Sequence, residues 1–276
     1  MKIGVSSYSF AHYQRDTHAS YLKLCDLARE IGFDGIEFID LDPEYQPAAD
    51  LCALADEIRA HCEAIGLPII AYTVGADFIE NPDMVAQLKA KIDVAEHLSA
   101  KVVRHDVTWR RDLDWREIIA RTKDSVREVT EYAARKGIRT CTENHGYVMQ
   151  DANRVEELIL AVNHPNYGWL VDMGNFLCAD EPSMHALPIA AKYAFHAHAK
   201  DFLLKSEKPS DEWFPTRNGN FLRGTVVGHG VVPVRECVKT LREAGYDGWL
   251  SLEFEGMEDN LPALRAGLSY LRAVTE

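Results

Sequence analysis

Eight short runs of apolar and β-branched residues, each followed by a longer segment of helical periodicity, constrain the fold of this chain most strongly. Such alternation is typical of strand–helix units arranged around a parallel sheet. Glycine recurs just before several of these strands, at Gly32, Gly66, Gly137 and Gly245. There it can end the preceding helix in a left-handed conformation and turn the chain back toward the sheet.

The length of 276 residues is close to the roughly 250 of a closed eight-stranded barrel. The predicted strands are Lys2–Ser7, Gly35–Ile39, Pro68–Val74, Lys101–Val107, Arg139–Asn144, Gly168–Asp172, Ala194–Lys200 and Trp249–Phe254. The predicted helices include Ala48–Ile65, Asp83–Leu98, Trp115–Lys136, Asn153–Val162, Val234–Ala244 and Leu261–Val274. An open doubly wound sheet would normally carry a glycine-rich phosphate loop after its first strand, where this chain has Ser6-Ser7-Tyr8-Ser9-Phe10. The sequence therefore predicts an α/β fold, a single (β/α)₈ TIM barrel domain over residues 1–276.

Charge and cysteine usage narrow the partners and the compartment. The net charge of −13 repels a phosphate backbone, and no local cluster of basic residues offsets it, so we expect no nucleic-acid partner. Six cysteines without C-x-x-C spacing are typical of reduced thiols. The first residues already have a strand pattern, and no apolar run is long enough to cross a membrane. We expect a cytoplasmic protein without a membrane partner.

One predicted connection is unusually long. The segment after the seventh strand, residues 202–233, contains Trp213, Arg217, Arg223 and the turn Gly228-His229-Gly230. A connection of this length inside a compact domain usually forms a lid or a binding loop. The alternative is a surface excursion or a subunit contact.

Four consecutive predicted strands, the fifth to the eighth, end in an ionisable residue: Glu143, Asp172, His198 and Glu253. The carboxyl ends of barrel strands meet at one face, where barrel enzymes build their active sites. Three carboxylates placed together repel one another unless a cation neutralises them. Oxygen-rich ligation with one imidazole suits Mn²⁺, Mg²⁺, Co²⁺ or Fe²⁺ better than a structural Zn²⁺. The pattern predicts one divalent-metal site.

Strand residues two positions apart share a face, so the same alternation adds neighbours to this site. His145 follows Glu143 on its face, and His196 and Lys200 flank His198. We interpret His196 as a hydrogen-bonded core residue. Glu255 is interpreted either as a solvated strand-end charge or as a partner of the site.

With these motifs in view, the chain resembles the xylose isomerase-like barrel superfamily, and within it the sugar phosphate isomerase/epimerase group that is classed with apurinic endonuclease family 2. The resemblance extends over essentially the whole chain and includes Gly32-Phe33-Asp34-Gly35-Ile36-Glu37-Phe38 and Gly245-Tyr246-Asp247-Gly248-Trp249. It implies that Glu143, Asp172, His198 and Glu253 are metal ligands, with Mn²⁺ favoured and Zn²⁺ also compatible. It further implies that Glu143 and Glu253 act as an acid/base pair.

The resemblance implies a sugar isomerase or epimerase that removes a proton next to a carbonyl of a ketose or keto-polyol through a metal-stabilised enediolate. The alternative is a lyase of the same barrel type, similar to inosose dehydratases or enzymes that cleave 3-keto-glycosides, with His145 as its base or acid. A nuclease resembling endonuclease IV would need more histidines, and a non-catalytic sugar-binding barrel would not need a carboxylate-rich centre. Relatives often pair as homodimers or homotetramers, and the sequence leaves the assembly open.

Several further residues are candidates for contacts with a carbohydrate substrate. The departures from the family pattern are Asn175, where many epimerases carry histidine, and His229, where relatives often carry an acidic residue. His145 is interpreted either as a catalytic group or as a partner of a metal ligand. The predicted substrate contacts are Glu37, His105, Asn175, Lys200, Arg217, Arg223 and His229.

Overall fold

The computed structural model describes all 276 residues and contains eleven strands and nine α-helices. The strands are β1 (Lys2–Ser6), β2 (Gly35–Ile39), β3 (Ile69–Val74), β4 (Val102–His105), β5 (Arg139–Glu143), β6 (Tyr167–Asp172), β7 (Ala194–Ala199), β8 (Asp201–Lys205), β9 (Phe214–Pro215), β10 (Phe221–Thr225) and β11 (Trp249–Leu252). The helices are α1 (Ala11–Thr17), α2 (Tyr21–Ile31), α3 (Leu51–Ile65), α4 (Met84–His97), α5 (Trp115–Arg135), α6 (Ala152–Val162), α7 (Ser183–Ala190), α8 (Val234–Glu243) and α9 (Asn260–Thr275).

Eight parallel strands close into a barrel in the order β1-β11-β7-β6-β5-β4-β3-β2. The predicted (β/α)₈ fold is therefore confirmed. The barrel closes between β1 and β11, where Lys2 lies opposite Trp249 and Val5 opposite Leu252. One continuous cluster of 69 buried apolar residues forms most of the core.

None of the helices has both the length and the apolar character needed to span a membrane.

Local sequence signals explain where individual helices begin and end. The helix predicted from Ala48 begins at Leu51, because the side chain of Asp50 accepts a hydrogen bond from the amide of Ala53 at 2.8 Å and caps the first turn. The same helix ends at Gly66, which has a left-handed backbone (φ +67°), as the glycine at this position predicted. This return of the chain brings the next strand to the floor of the barrel.

The long connection after β7 is an ordered insertion with a sheet of its own. Strands β8, β10 and β9 pair antiparallel in that order. The carboxylate of Asp201 accepts hydrogen bonds from the amides of Gly228, Gly230 and Val232, and these bonds fix the end of the insertion. Because it is built on the carboxyl end of β7, the insertion lies beside the mouth of the barrel.

Lowering the pH from 7.5 to 5 is expected to destabilise the fold through His105. This side chain is fully buried between the rings of Phe78 and Tyr167, and burial lowers the pKa of His105 to about 4. The unfolded chain, with a histidine pKa near ~6.5, then binds a proton that the folded state does not, so stability falls as pH drops below that value. The expected loss is about 2 kcal/mol.

Denaturant unfolding at both pH values, with chelator present, measures this effect against the variant His105→Phe. The variant lacks the titrating ring and should lose about 2 kcal/mol less than the wild type over the same interval. Equal losses in the two proteins would contradict the assignment.

Candidate metal centre and active site

The four residues at the strand ends converge on one point. Glu143 ends β5, Asp172 ends β6, His198 lies near the end of β7 and Glu253 follows β11. One ligand atom from each lies within 4.8 Å of the others, and all four side chains are buried. The arrangement has the composition and spacing of a divalent-metal site.

Two atoms of this group have no hydrogen-bond partner in the protein. Oδ2 of Asp172 and Nδ1 of His198 are both buried and form no hydrogen bond within the protein, although the ammonium of Lys200 lies 3.5 Å from Oδ2. Nδ1 of His198 lies 3.8 Å from Oδ2 of Asp172 and 3.3 Å from Oε2 of Glu253. A buried acceptor without a partner is costly unless a ligand satisfies it. A divalent cation bound by these atoms would remove that cost, so the residues present fit the metal that the family resemblance implies.

Glu37 orients the histidine of this group. Its fully buried carboxylate lies 2.8 Å from Nε2 of His198 and 2.5 Å from Nε2 of His196, and it accepts a hydrogen bond from Ser251. With a proton on Nε2 of His198, the lone pair of Nδ1 faces the carboxylates, as is usual where a carboxylate supports a metal-binding histidine. The sequence predicted a substrate contact for Glu37, but the structure places it beneath the metal group and out of the cleft.

Lys200 neutralises part of the negative charge. Its ammonium nitrogen lies 2.7 Å from Oε2 of Glu253, 3.5 Å from Asp172 and 3.4 Å from Glu255. Burial by itself would lower the pKa of Lys200, but the surrounding carboxylates raise it well above its usual value. Lys200 therefore stays charged, and its side chain lines the cleft, where the predicted contact with substrate stays a prediction.

One lysine does not balance all the acids. Burial, together with Glu143 and Glu253, raises the pKa of Asp172 to about 7 in spite of Lys200. Burial also opposes ionisation of Glu253, but Lys200 and His198 outweigh it and hold the pKa of Glu253 well below its usual value. A metal bound here would replace the proton that Asp172 retains near neutral pH.

Arg104 and Asp106 complete the opposite wall of the cleft. Nε of Arg104 lies 2.9 Å from Oε2 of Glu143, and Nη2 of Arg104 lies 2.7 Å from Oδ1 of Asp106. On this strand the sequence predicted a substrate contact at His105 and not at Arg104. Side chains alternate along β4, so Arg104 faces the cleft and His105 packs outside the barrel wall. The prediction that His105 contacts the substrate is therefore wrong, because its ring lies outside the barrel wall.

His145 lies at the mouth of the cleft and is oriented by Asp106. Nδ1 of His145 is 3.0 Å from Oδ1 of Asp106, and the ring meets the edge of Trp109 at a centroid distance of 4.9 Å. About a third of the side chain is exposed. An imidazole whose Nδ1 donates to a buried carboxylate presents Nε2 as a base. The structure thus provides a histidine–aspartate pair next to the metal group.

Asn175 is bonded to two of the acids. Its side-chain amide donates to Oε1 of Glu143 at 2.7 Å, and its backbone amide donates to Oδ1 of Asp172 at 2.8 Å. Oε1 of Glu143 therefore accepts a hydrogen bond from Asn175, and Oε2 forms an ion pair with Arg104. Asn175, which the sequence predicted as a substrate contact, therefore donates hydrogen bonds to two of the predicted metal ligands.

The remaining predicted contacts lie away from the metal group. Arg217 pairs with Asp151 at 2.6 Å and donates to the carbonyl of Tyr147, which fixes the insertion to the loop after β5. Arg223 packs over the ring of Trp213. His229 is exposed on its turn. None of these three side chains lines the cleft above the carboxylates.

The cleft has a volume of about 380 Å³, within the range of a small-molecule site. Besides the acids and Lys200, its lining includes Tyr8, Asp40 and Trp109. Polar groups dominate the floor and aromatic rings the rim, which suits a hydroxyl-rich ligand.

Removing the metal is expected to lower the melting temperature. A cation that binds only the folded state at 100 times its dissociation constant adds about 2.7 kcal/mol, or roughly 5–10 °C for a chain of this size. Thermal unfolding with chelator, and again after Mn²⁺ is restored, measures the shift. Asp172→Asn is the matched control and should show little change. An unchanged melting temperature in the wild type after verified removal and re-addition would contradict the site.

Comparison with known proteins agrees with this architecture. Residues 25–274 match the family described as xylose isomerase-like TIM barrel. The fructoselysine 3-epimerase of Shigella flexneri is 26% identical over 268 residues, which cover 90% of each chain. The inosose dehydratase of Yersinia enterocolitica is 28% identical over 167 residues. This second match covers 57% of the present chain and 53% of the dehydratase, so the chain spans about half the length of that relative.

Solved structures with the same fold include a probable 3-DHS dehydratase, AsbF, from Bacillus anthracis, with a TM-score of 0.79, 19% identity and 99% coverage of both chains. The IOLI protein with a bound zinc atom has a TM-score of 0.77 at 20% identity, covering 99% of this chain and 98% of its own. A protein from Mycobacterium smegmatis in complex with magnesium has a TM-score of 0.76 at 18% identity, covering 99% and 96%. At these identities the likeness shows the fold.

Proposed function

Because the chain belongs to the xylose isomerase-like TIM barrel family, we propose that it is a divalent-metal-dependent sugar isomerase or epimerase acting on a ketose or keto-polyol. The observation that carries the proposal is the buried group Glu143, Asp172, His198 and Glu253, whose unpartnered atoms face one another beside His145. The match to fructoselysine 3-epimerase over 90% of both chains supports the same class.

The metal, which we propose to be Mn²⁺, would supply a Lewis acid that stabilises negative charge on a carbonyl oxygen when the neighbouring C–H bond loses its proton. The protein's own groups do the rest. Lys200, fully charged and buried, offers its ammonium to an oxygen that gains negative charge. Glu37 keeps Nδ1 of His198 turned toward the carboxylates.

Proton transfer needs a group on each side of the substrate for an epimerisation. Glu253 follows β11 and His145 follows β5, and these strands are separated in the barrel by β7 and β6. The two side chains therefore approach the cleft from different sides. Glu143, the partner of Glu253 in the family pattern, accepts a hydrogen bond from Asn175 and lies beside the guanidinium of Arg104, whereas the ring of His145 is oriented by Asp106. We therefore assign the second proton-transfer role to His145.

A lyase is the second candidate, because the pair of His145 and Asp106 would serve its first proton transfer equally well. A base that removes the proton next to a carbonyl also starts the elimination of a hydroxyl or glycosyl group from the following carbon. Inosose dehydratases are among the relatives. The two candidates share the first proton transfer and differ in what happens to the resulting carbanion.

Proton NMR in D₂O, with protein, Mn²⁺ and a panel of ketoses, inososes and 3-keto-glycosides, tests the proposal. Loss of the signal of a C–H next to the carbonyl is the expected result. A stereoisomer as the product supports the epimerase, and an unsaturated or cleaved product supports the lyase. Absence of exchange throughout the panel, with metal confirmed as bound, would contradict both.

A further inference from the structure

A second lobe opens beside the cleft that holds the carboxylates. It has a volume of about 300 Å³ and shares His145, Lys200, Glu255 and Trp109 with the first lobe. The two cavities are therefore continuous around these side chains. Each is large enough to hold a small ring by itself. A monosaccharide bound at the carboxylates would leave the second lobe free.

Three aromatic side chains line the second lobe, together with polar residues that include Gln150, Asn175 and Glu255. Trp109 is 49% exposed at the boundary, and Tyr147 and Phe214 line the far side. Phe214 belongs to β9, so the insertion after β7 contributes directly to this cavity. Flat apolar faces at a wet cleft suit the stacking of a planar ring.

The backbone of Tyr147 is held in a conformation that a bulky residue rarely adopts. Its φ is +72°, in the left-handed region. Its amide donates to Gln150 at 2.7 Å, its carbonyl accepts from Arg217, and its hydroxyl donates to the carbonyl of Pro215. Strain of this kind persists only where the surroundings fix it, most often at ligand sites. Arg217 thus holds the wall of the second lobe and does not itself reach the cleft.

The second lobe also carries a cation with no acidic partner. The exposed guanidinium of Arg111 lines this lobe, lies 4.2 Å from the centre of the Tyr147 ring and has no carboxylate within ion-pair distance. Its neighbour Arg110, by contrast, pairs with Glu80 and Asp112. In a chain of net charge −13, an unpaired arginine in a cavity favours an anionic group there.

We propose that the natural substrate has two parts: a keto-sugar at the carboxylates, and a second planar ring with an anionic substituent in the lobe of Trp109, Tyr147, Phe214 and Arg111. The class is an acidic aryl conjugate of a keto-sugar. The sugar part rests on the proposed function, whereas the second part rests on the shape and charge of this lobe. Binding energy from the remote ring would hold the reacting carbon in place next to His145.

Calorimetric titration of the Mn²⁺-loaded protein with four β-D-glucosides tests the second lobe without requiring turnover. The probes carry methyl, phenyl, 4-carboxyphenyl and 4-phosphophenyl groups. We expect phenyl to bind about tenfold tighter than methyl through stacking. The acidic probes should gain about three- to fivefold more from Arg111. The carboxyl and phosphate probes also show which anion the lobe prefers.

Two variants assign the effects to residues. Phe214→Ala should remove most of the advantage of phenyl over methyl. Arg111→Gln changes an exposed side chain, is expected to fold normally, and should abolish only the preference for acidic probes. Equal binding of the methyl and aryl glucosides by the wild type, or equal weakening of all four probes by Arg111→Gln, would overturn the proposal. A retained binding pattern without deuterium exchange on any sugar would instead count against the proposed chemistry alone.

Discussion

Changing Glu253 to Gln is expected to slow deuterium exchange at the substrate carbon by about 10³-fold. The variant keeps the shape of the side chain but removes the proposed metal ligand and proton carrier, together with the nearest counter-charge of Lys200, whose ammonium is 2.7 Å away. Exchange rates from proton NMR and metal content from atomic absorption, on the same samples, measure both consequences.

The matched control is Glu243→Gln, which makes the same change on the exposed surface of α8. Exchange by this variant should equal that of the wild type. A Glu253→Gln protein that binds metal fully and exchanges at the wild-type rate would remove Glu253 from both roles.

Loss of His145 should slow turnover to a comparable extent but, unlike the change at Glu253, should leave the metal content unaltered. His145→Asn is expected to reduce kcat by about 10²- to 10⁴-fold while leaving metal content unchanged, because the imidazole is a base and not one of the four ligands. Asp106→Asn should reduce kcat less, by about 10-fold to 100-fold, because the ring remains but loses the carboxylate that orients it.

The double variant of His145 and Asp106 shows whether the two residues act together or independently. If Asp106 acts through the ring, removing it should cost nothing further once His145 is Asn. Additive losses would show that Asp106 has a separate role, for instance in holding Arg104. Full activity in His145→Asn would leave Glu143 and Glu253 as the acid/base pair that the family resemblance implies.

The barrel and the convergence of the metal group could be predicted because both follow from the order of residues along the chain. Parallel strands place their carboxyl ends at one edge, so Glu143, Asp172, His198 and Glu253 had to meet if the eight strands formed. Glu253 lies just beyond the observed end of β11, yet its position at that edge is the same. His145 and Lys200, which strand alternation predicted to lie near these residues, both line the cleft.

The supporting residues could not be predicted in the same way. On β4 the sequence predicted that His105 contacts the substrate, whereas Arg104, one residue earlier, faces the cleft. The end of a strand does not by itself show which side chain points toward the barrel axis. The role of Glu37 depends on a contact between β2 and β7 across the barrel, 161 residues apart in sequence. Arg104 could have been predicted to face the cleft if its positive charge had been considered as a counter-ion for Glu143.

The insertion after β7 illustrates a different limit. Its length predicted a lid or binding loop, but its three short strands gave little periodic signal. β9, only Phe214–Pro215, is too short to recognise and ends in a residue found mainly on sheet edges. Its contribution to the second lobe, through Phe214 and the hydrogen bonds of Arg217, arises from contacts with the loop after β5.

Anomalous diffraction from crystals grown with Mn²⁺ would locate the ion without assuming any substrate. We expect one strong peak bounded by Glu143, Asp172, Nδ1 of His198 and Glu253. A peak instead at the neighbouring group of Glu37, His196 and His198, which also has metal-like spacing, would contradict this expectation. So would the absence of any peak, with the ammonium of Lys200 alone neutralising the carboxylates.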